Sequence, residues 1–263
     1  MILCIDIGNT NITFGGYEGM ALRFQARCGT DHRKTEEEYA MLVEGILRLH
    51  SVAPSGIEGG ILSSVVPSLR AVMSRAMELL TGKRFLTVSS GIKTGLNIRM
   101  DIPSQLGSDL VADAVGAMAK YPKPIVFFDM GTATTLSVID KRGCYLGGMI
   151  IPGLRTSVDA LADRAAQLPA IPLTPPGHMI GQNTVECMQS GALYGHAAML
   201  DGLVERVETE LGEPVSAVMT GGLAGIIQPY CRRNIVLDER LQLDGLRILY
   251  EKNLPRRREN PKI

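Results

Sequence analysis

Neither sign of charge dominates this sequence: 27 lysines and arginines stand against 27 aspartates and glutamates. Such a balance excludes a protein that selects its partner by bulk charge, so neither nucleic acid nor a membrane surface is expected as a partner. The single basic cluster, Arg256, Arg257 and Arg258, sits near the C-terminus and reads as a solvated tail. No apolar run approaches the roughly 20 residues of a membrane span. The apolar stretch at residues 1–7 is too short for a signal peptide and has no basic segment before it. Cysteine is sparse as well. Cys4, Cys28, Cys144, Cys187 and Cys231 are odd in number and far apart, with no CxxC or metal-ligand spacing. That excludes a disulfide framework and points to reduced thiols in a cytoplasmic protein. Several catalytic signatures are also missing. "TGKRF" lacks the upstream glycine of GxxxxGK(S/T), and no GxGxxG, HExxH or HRD occurs.

What is present is an ordinary globular chain of 263 residues, 45% hydrophobic and 21% charged, long enough for one large or two smaller domains. "ILCIDI", "NITFGGYEG" and "MALRFQARC" predict a three-stranded meander. "TEEEYAMLVEGILRLH" has apolar residues at helical period and acidic residues in its first turn, and Pro67 opens a second helix. "PSQLGSDLVADAVGAMAKY" reads as a helix, and "PIVFFDM" as a strand covered on both faces. "TVECMQSGALYGHAAMLDGLVERVETELG" reads as one long helix ended by Gly212. Strands "PVSAVMTGG" and "NIVLD" and the helix "LDGLRILYEKN" close the chain. Alternation of strand and helix makes the fold class α/β.

One pattern occurs twice. An apolar strand runs into Asp6-Ile7-Gly8, then Asn9, Thr10 and Asn11; another runs into Asp129-Met130-Gly131, then Thr132, Ala133, Thr134 and Thr135. Each is followed by an apolar strand and a glycine turn, as in a weak repeat of one hairpin. Glycine lets backbone N–H groups approach an anion, and Asn and Thr add neutral donors that suit phosphate oxygens. The carboxylate cannot bind phosphate, but it can hold a cation or the water shell of Mg²⁺. Two such turns, one per half, point to a nucleotide triphosphate. "VMTGGLAGI" adds a glycine turn between strand and helix, another place for a phosphate.

With these motifs in this order, the chain resembles the type III pantothenate kinases of the sugar-kinase, Hsp70 and actin superfamily. The resemblance rests on "DIGNTNI", "PSQLGSDLVADAVGA", "FDMGTATT", "GGMIIPGL", "RAAQLP", "GQNTVECMQSG" and "TGG", spread over nearly the whole chain. It implies two ribonuclease-H-like (actin-like ATPase) domains with mixed sheets and a central cleft, divided here as residues 1–118 and 119–263. It implies that Asp6, Ile7, Gly8, Asn9, Thr10, Asn11, Ile12 and Thr13 line the ATP phosphates together with Thr132. Asp129 falls where the family holds a monovalent cation, K⁺ or NH₄⁺, and Mg²⁺ accompanies ATP. Asp109 falls at the general base. Met100, Gly107, Ser108, Asp109, Leu110 and Thr184 fall where pantothenate is contacted. The family works as a homodimer in the cytoplasm, making 4′-phosphopantothenate in the first step of coenzyme A biosynthesis. Leu110 stands where the family has Arg, Met100 where it has Tyr and Asp113 where it has Asn, all on the acceptor side. Read from the residues, a kinase for a different small alcohol and a noncatalytic nucleotide-binding homologue stay open beside the pantothenate kinase.

Overall fold

The computed structural model describes residues 1–254. The basic cluster at Arg256, Arg257 and Arg258 lies outside the described residues. The chain forms two compact units. The first contains Met1–Gly95, Ser104–Gly116 and the chain from Leu243; the second contains Leu96–Pro103 and Ala117–Gln242. In place of a single division at residue 118, the chain leaves the first unit and returns to it twice.

Unit 1 is built on strands β1 (Ile2–Ile7), β2 (Asn11–Glu18), β3 (Ala21–Gly29), β4 (Gly59–Ser64) and β5 (Leu86–Thr87), in spatial order β3-β2-β1-β4-β5. The first three are the expected antiparallel meander, and β4 and β5 add in parallel. Helix α1 (Glu36–Leu49) begins at Thr35, whose hydroxyl accepts from Glu38 N–H while the Glu38 carboxylate accepts from Thr35 N–H. It buries Tyr39, Val43 and Leu47, one residue per turn. Helix α2 (Pro67–Thr81) buries Leu69, Met73, Ala76 and Met77 into the same core, where Leu3, Ile5, Ile7, Phe14 and Leu62 are also buried. Each buried Val, Leu, Ile, Phe or Met among them contributes about 1.5–3 kcal/mol relative to exposure.

Unit 2 carries β6 (Asn97–Ile98), β7 (Ile125–Met130), β8 (Ala133–Ile139), β9 (Cys144–Pro152), β10 (Ser216–Thr220) and β11 (Ile235–Leu237), in order β11-β10-β7-β8-β9-β6. Read from β9 to β11, this is the topology of unit 1 again: an antiparallel meander of three followed by two parallel strands. The internal echo in the sequence is therefore a repeat of architecture. β6 is an extra edge strand that its two-residue length hid from the sequence. Helices α4 (Leu154–Arg164) and α5 (Thr184–Leu211) cover the sheet, the one-turn α6 (Ala224–Ile227) follows β10, and a separate core gathers Val126, Phe128, Leu193, Leu200 and Met219. Gly212, in the left-handed conformation at φ 72°, ends α5 as expected.

Two elements differ from expectation. The helix expected from Pro103 is broken: Pro103–Gln105 is one 3-10 turn, and helix α3 (Ser108–Lys120) starts only after Gly107. The last helix, α7 (Leu241–Asn253), belongs largely to unit 1. Glycine makes that docking possible. Ideal Cβ atoms at Gly15 and Gly59 would run into Leu243 and the Tyr250 hydroxyl, so bare backbone receives the helix. The buried Tyr17 hydroxyl then donates to Asp244 Oδ1 at 2.7 Å, a bond that ties β2 to the helix.

Candidate active site

In unit 1 the candidate residues gather where β1 and β4 end. Asp6, 9% exposed, is the penultimate residue of β1 and pairs in register with Thr13 on β2 and Ser63 on β4. Directly paired residues project from the same face of a sheet, so Asp6 stands between two hydroxyl residues. The chain then turns through Gly8, whose N–H donates to Asn11 O at 3.0 Å, leaving Asn9, Thr10 and Asn11 exposed. Thr30 braces the turn: its hydroxyl donates to Gly8 O at 2.7 Å and its N–H to Thr10 O at 3.0 Å. Ile7 and Ile12, placed on the ATP side by the motif, have fully buried side chains in the core. What they offer a phosphate is backbone.

Asp109 comes to the same end of this sheet. The Ser108 hydroxyl accepts from Ser63 Oγ at 3.0 Å and from Ser64 N–H at 3.1 Å, and donates to Ser64 O at 3.1 Å. These bonds fasten the first residue of α3 to the last residues of β4. Asp109 follows immediately, with its Oδ1 accepting from Leu110 N–H at 2.8 Å and folded over Gly107, where a Cβ would collide with it. Burial pushes the Asp109 carboxyl above its usual range, opposed by backbone N–H donors from Leu110 and Asp109 itself. A carboxylate made more basic in this way is suited to taking a proton from an alcohol. Leu110 is half-buried beside it, and Asp113, one helical turn on, is completely buried.

Unit 2 repeats the first arrangement. Asp129 is the penultimate residue of β7 and pairs in register with Thr135 on β8 and Thr220 on β10. The hydroxyl–carboxylate–hydroxyl row of unit 1 thus recurs. Thr135 Oγ1 is a buried atom with no hydrogen-bond partner, an oxygen that suits a hard cation beside Asp129. The turn closes with Gly131 N–H donating to Ala133 O at 3.1 Å and leaves Thr132 exposed. Two later motifs hold this turn. Gly153 N–H and the Thr156 hydroxyl donate to Thr132 O at 3.2 and 2.8 Å. Gly221, at φ 94°, lies against Asp129 and Met130 so closely that no Cβ fits. Met100 lies in the segment after β6, half-buried. Thr184 opens α5 after Asn183, which caps it by accepting from Glu186 N–H at 3.0 Å. Thr184 also lines a groove of about 660 Å³ with Val158, Leu161, Cys187 and Met188.

A family model for type III pantothenate kinase matches residues 2–206. The chain belongs to that family. A type III pantothenate kinase of Exiguobacterium sp. (strain AT1b) is 44% identical over 253 residues, covering 96% of this chain and 99% of the relative. One from Brevibacillus brevis is 42% identical, with the same coverage of both chains. Solved structures show the fold alone. The ethanolamine utilization protein EutJ of Carboxydothermus hydrogenoformans matches with TM-score 0.54 at 10% identity over 94% of this chain and 89% of its own. A ROK hexokinase of Thermus thermophilus matches with TM-score 0.50 at 15% identity over 94% and 97%. The two mixed sheets are accordingly those of the sugar-kinase and actin-like fold.

The sequence reading named Thr135 and Thr220 within their glycine-turn motifs but did not single out Ser63. The signal for Ser63 was available. "GGILSSVVP" ends an apolar strand in two serines, the same kind of break in polarity that drew attention to Asp6. The resemblance also placed Ser108 against the acceptor, and its side chain is committed elsewhere. A hydroxyl has one donor and two acceptor lone pairs, and all three are already used on β4.

Proposed function

We propose that the chain transfers the γ-phosphoryl group of ATP to the 4′-hydroxyl of pantothenate, giving 4′-phosphopantothenate at the start of coenzyme A biosynthesis. The observation that carries this reading is Asp109, a carboxylate made more basic by burial and fastened to the strand end beside Asp6. As the alcohol oxygen bonds to the γ-phosphorus, its proton passes to Asp109 and the bond to the β-phosphate oxygen breaks, releasing ADP. Such a transfer asks the protein mainly for positioning and charge neutralisation. The exposed turn at Asn9, Thr10 and Asn11, with the backbone from Asp6 to Thr13, receives phosphate oxygens, and so does Thr132. Mg²⁺ bound with ATP supplies positive charge on the phosphates, and Asp6 is the carboxylate of this chain placed to hold its water shell. A site of that kind needs only one or two carboxylates besides phosphate. Asp129, flanked by Thr135 and Thr220, offers an oxygen set for K⁺ or NH₄⁺. Met100, Gly107, Leu110, Thr184 and the backbone of Ser108 serve pantothenate.

The working form is a homodimer. On unit 2, Ile150 is 82% and Ile180 85% exposed, and Met149, Leu161 and Met179 are exposed too, side chains that burial in a homodimer would cover. Among the described residues no helix is long and apolar enough to cross a membrane, and none of the five cysteines forms a disulfide. A place in the cytoplasm belongs to this reading as what the family resemblance implies. The test is ADP release with Mg²⁺, in K⁺ and in Na⁺, with and without pantothenate, the product identified by mass and the dimer by light scattering. ADP release indifferent to pantothenate rejects the acceptor. Leu110, in the place of a family Arg, favours a second reading, a different small alcohol, which the same assay tests with other acceptors.

A further inference from the structure

The Ser63–Ser108 hydroxyl pair carries an inference of its own. Ser63 is fully buried, yet it occupies the place in β4 next to Asp6. Its hydroxyl is spent on Ser108, the residue before Asp109. One pair of small polar side chains therefore joins β4, the strand beside Asp6, to the helix whose second residue is Asp109. Ser108 Oγ uses its full hydrogen-bonding capacity there, with two bonds accepted and one donated, all to the last two residues of β4. Gly107 precedes the pair without a Cβ, which lets the Asp109 carboxylate fold back over it. A buried polar group costs stability unless it is hydrogen-bonded, and a satisfied pair such as this one fixes the geometry of the elements it joins.

We propose that Ser63 and Ser108 are positioning residues, a clasp that sets where the Asp109 carboxylate stands relative to Asp6. The clasp acts through Asp109, so the inference rests on Asp109 being the base. It gives Ser108 a role different from that of a substrate ligand. A ligand's loss raises KM for the acceptor. A clasp's loss lowers kcat and returns Asp109 to solvent, with its carboxyl moving back toward the ordinary value. The acid limb of the pH–rate profile then moves to lower pH, because the base stays ionised further down.

The experiment compares Ser63→Ala, Ser108→Ala, the double variant, Ser108→Thr and Asp109→Asn with wild type, each checked by thermal melt. Ser63→Ala removes a single hydrogen bond and keeps the fold. A misplacement of the base by a fraction of an ångström to 1 Å is expected to lower kcat by about 10- to 100-fold. KM for acceptor stays within about twofold, since neither deleted hydroxyl is itself a substrate contact. The acid limb moves down in both alanine variants. Ser108→Ala is the poorer single variant, since it removes all three bonds where Ser63→Ala removes one; the double variant is no worse than Ser108→Ala, and Ser108→Thr, which keeps the hydroxyl, restores kcat. Alanine variants with wild-type kcat and an unmoved acid limb overturn the clasp, as does a Ser108→Ala variant whose only change is a raised acceptor KM. If Asp109→Asn is inactive while both serine variants match wild type, the clasp alone fails. If Asp109→Asn keeps full turnover, the reading of Asp109 as the base fails with it.

Discussion

Replacing Gly221 by alanine probes how the second phosphate turn is held. Gly221 sits at φ 94°, and an ideal Cβ there falls 2.5 Å from Met130 N and 2.8 Å from Met130 C, and also on Asp129 Oδ1. Ordinary van der Waals contact begins near 3.4 Å, so something must move by about 0.6–0.9 Å. Two of the three obstructing atoms are backbone at the end of a central strand, which cannot swing aside as a side-chain tip can. An L-residue at such a φ costs about 1–3 kcal/mol, and overpacking adds a similar amount, for a total of about 2–6 kcal/mol. At roughly 2–4 °C per kcal/mol for a protein of this size, the melting temperature should fall by about 5–20 °C. Because Asp129 is displaced as well, K⁺ activation of ADP release should weaken in whatever protein remains folded at low temperature. Gly225→Ala, whose Cβ would meet nothing closer than 3.8 Å, is the control and should stay within about 0.5 kcal/mol of wild type. A Gly221→Ala protein with unchanged melting temperature and wild-type K⁺ response would refute the reasoning.

Asp109→Asn should keep fold and nucleotide binding but lose roughly two or more decades of kcat, as for a missing base; single-turnover kinetics decides it. Because burial raises the Asp109 carboxyl, the acid limb of kcat should lie above the ordinary aspartate value, with activity lost as pH falls through it. The same shift makes its contribution to stability greatest below the unfolded value and lost as pH rises through the folded one, which a pH series of melts with Asp109→Asn as reference would show. Asp6→Ala should raise the Mg·ATP requirement and Asp129→Ala should blunt K⁺ activation, so normal Mg·ATP use and K⁺ dependence in both would reject the paired-turn assignment. Leu110→Arg should tighten pantothenate binding by about one to two decades, the worth of a charge-assisted hydrogen bond, with Asp113→Asn added to remove a competing carboxylate; calorimetry that finds tight wild-type binding, unimproved in the variant, means another residue already holds the pantothenate carboxylate.

Much of this was legible in the chain because the physics is local. The acidic first turn of α1 at Glu36, Glu37 and Glu38 is written in three consecutive residues. A left-handed glycine ends α5 wherever it falls, and Asp-Xaa-Gly after an apolar strand announces a turn with exposed donors whether it occurs at Asp6 or at Asp129. Tertiary structure decided the rest. Ser63 and Ser108 are 45 residues apart, and no spacing rule joins them; their contact exists because β4 lies beside β1 and α3 starts where β4 ends. The bare backbone at Gly15 and Gly59 draws α7 back to unit 1 across more than 180 residues of chain. The basicity of Asp109 is likewise absent from its sequence neighbourhood, which by itself describes an ordinary carboxylate at a helix start. Hydrogen-bond saturation and desolvation depend on which atoms surround a group in space, and for Ser108 and Asp109 the packing of the folded chain supplies those atoms.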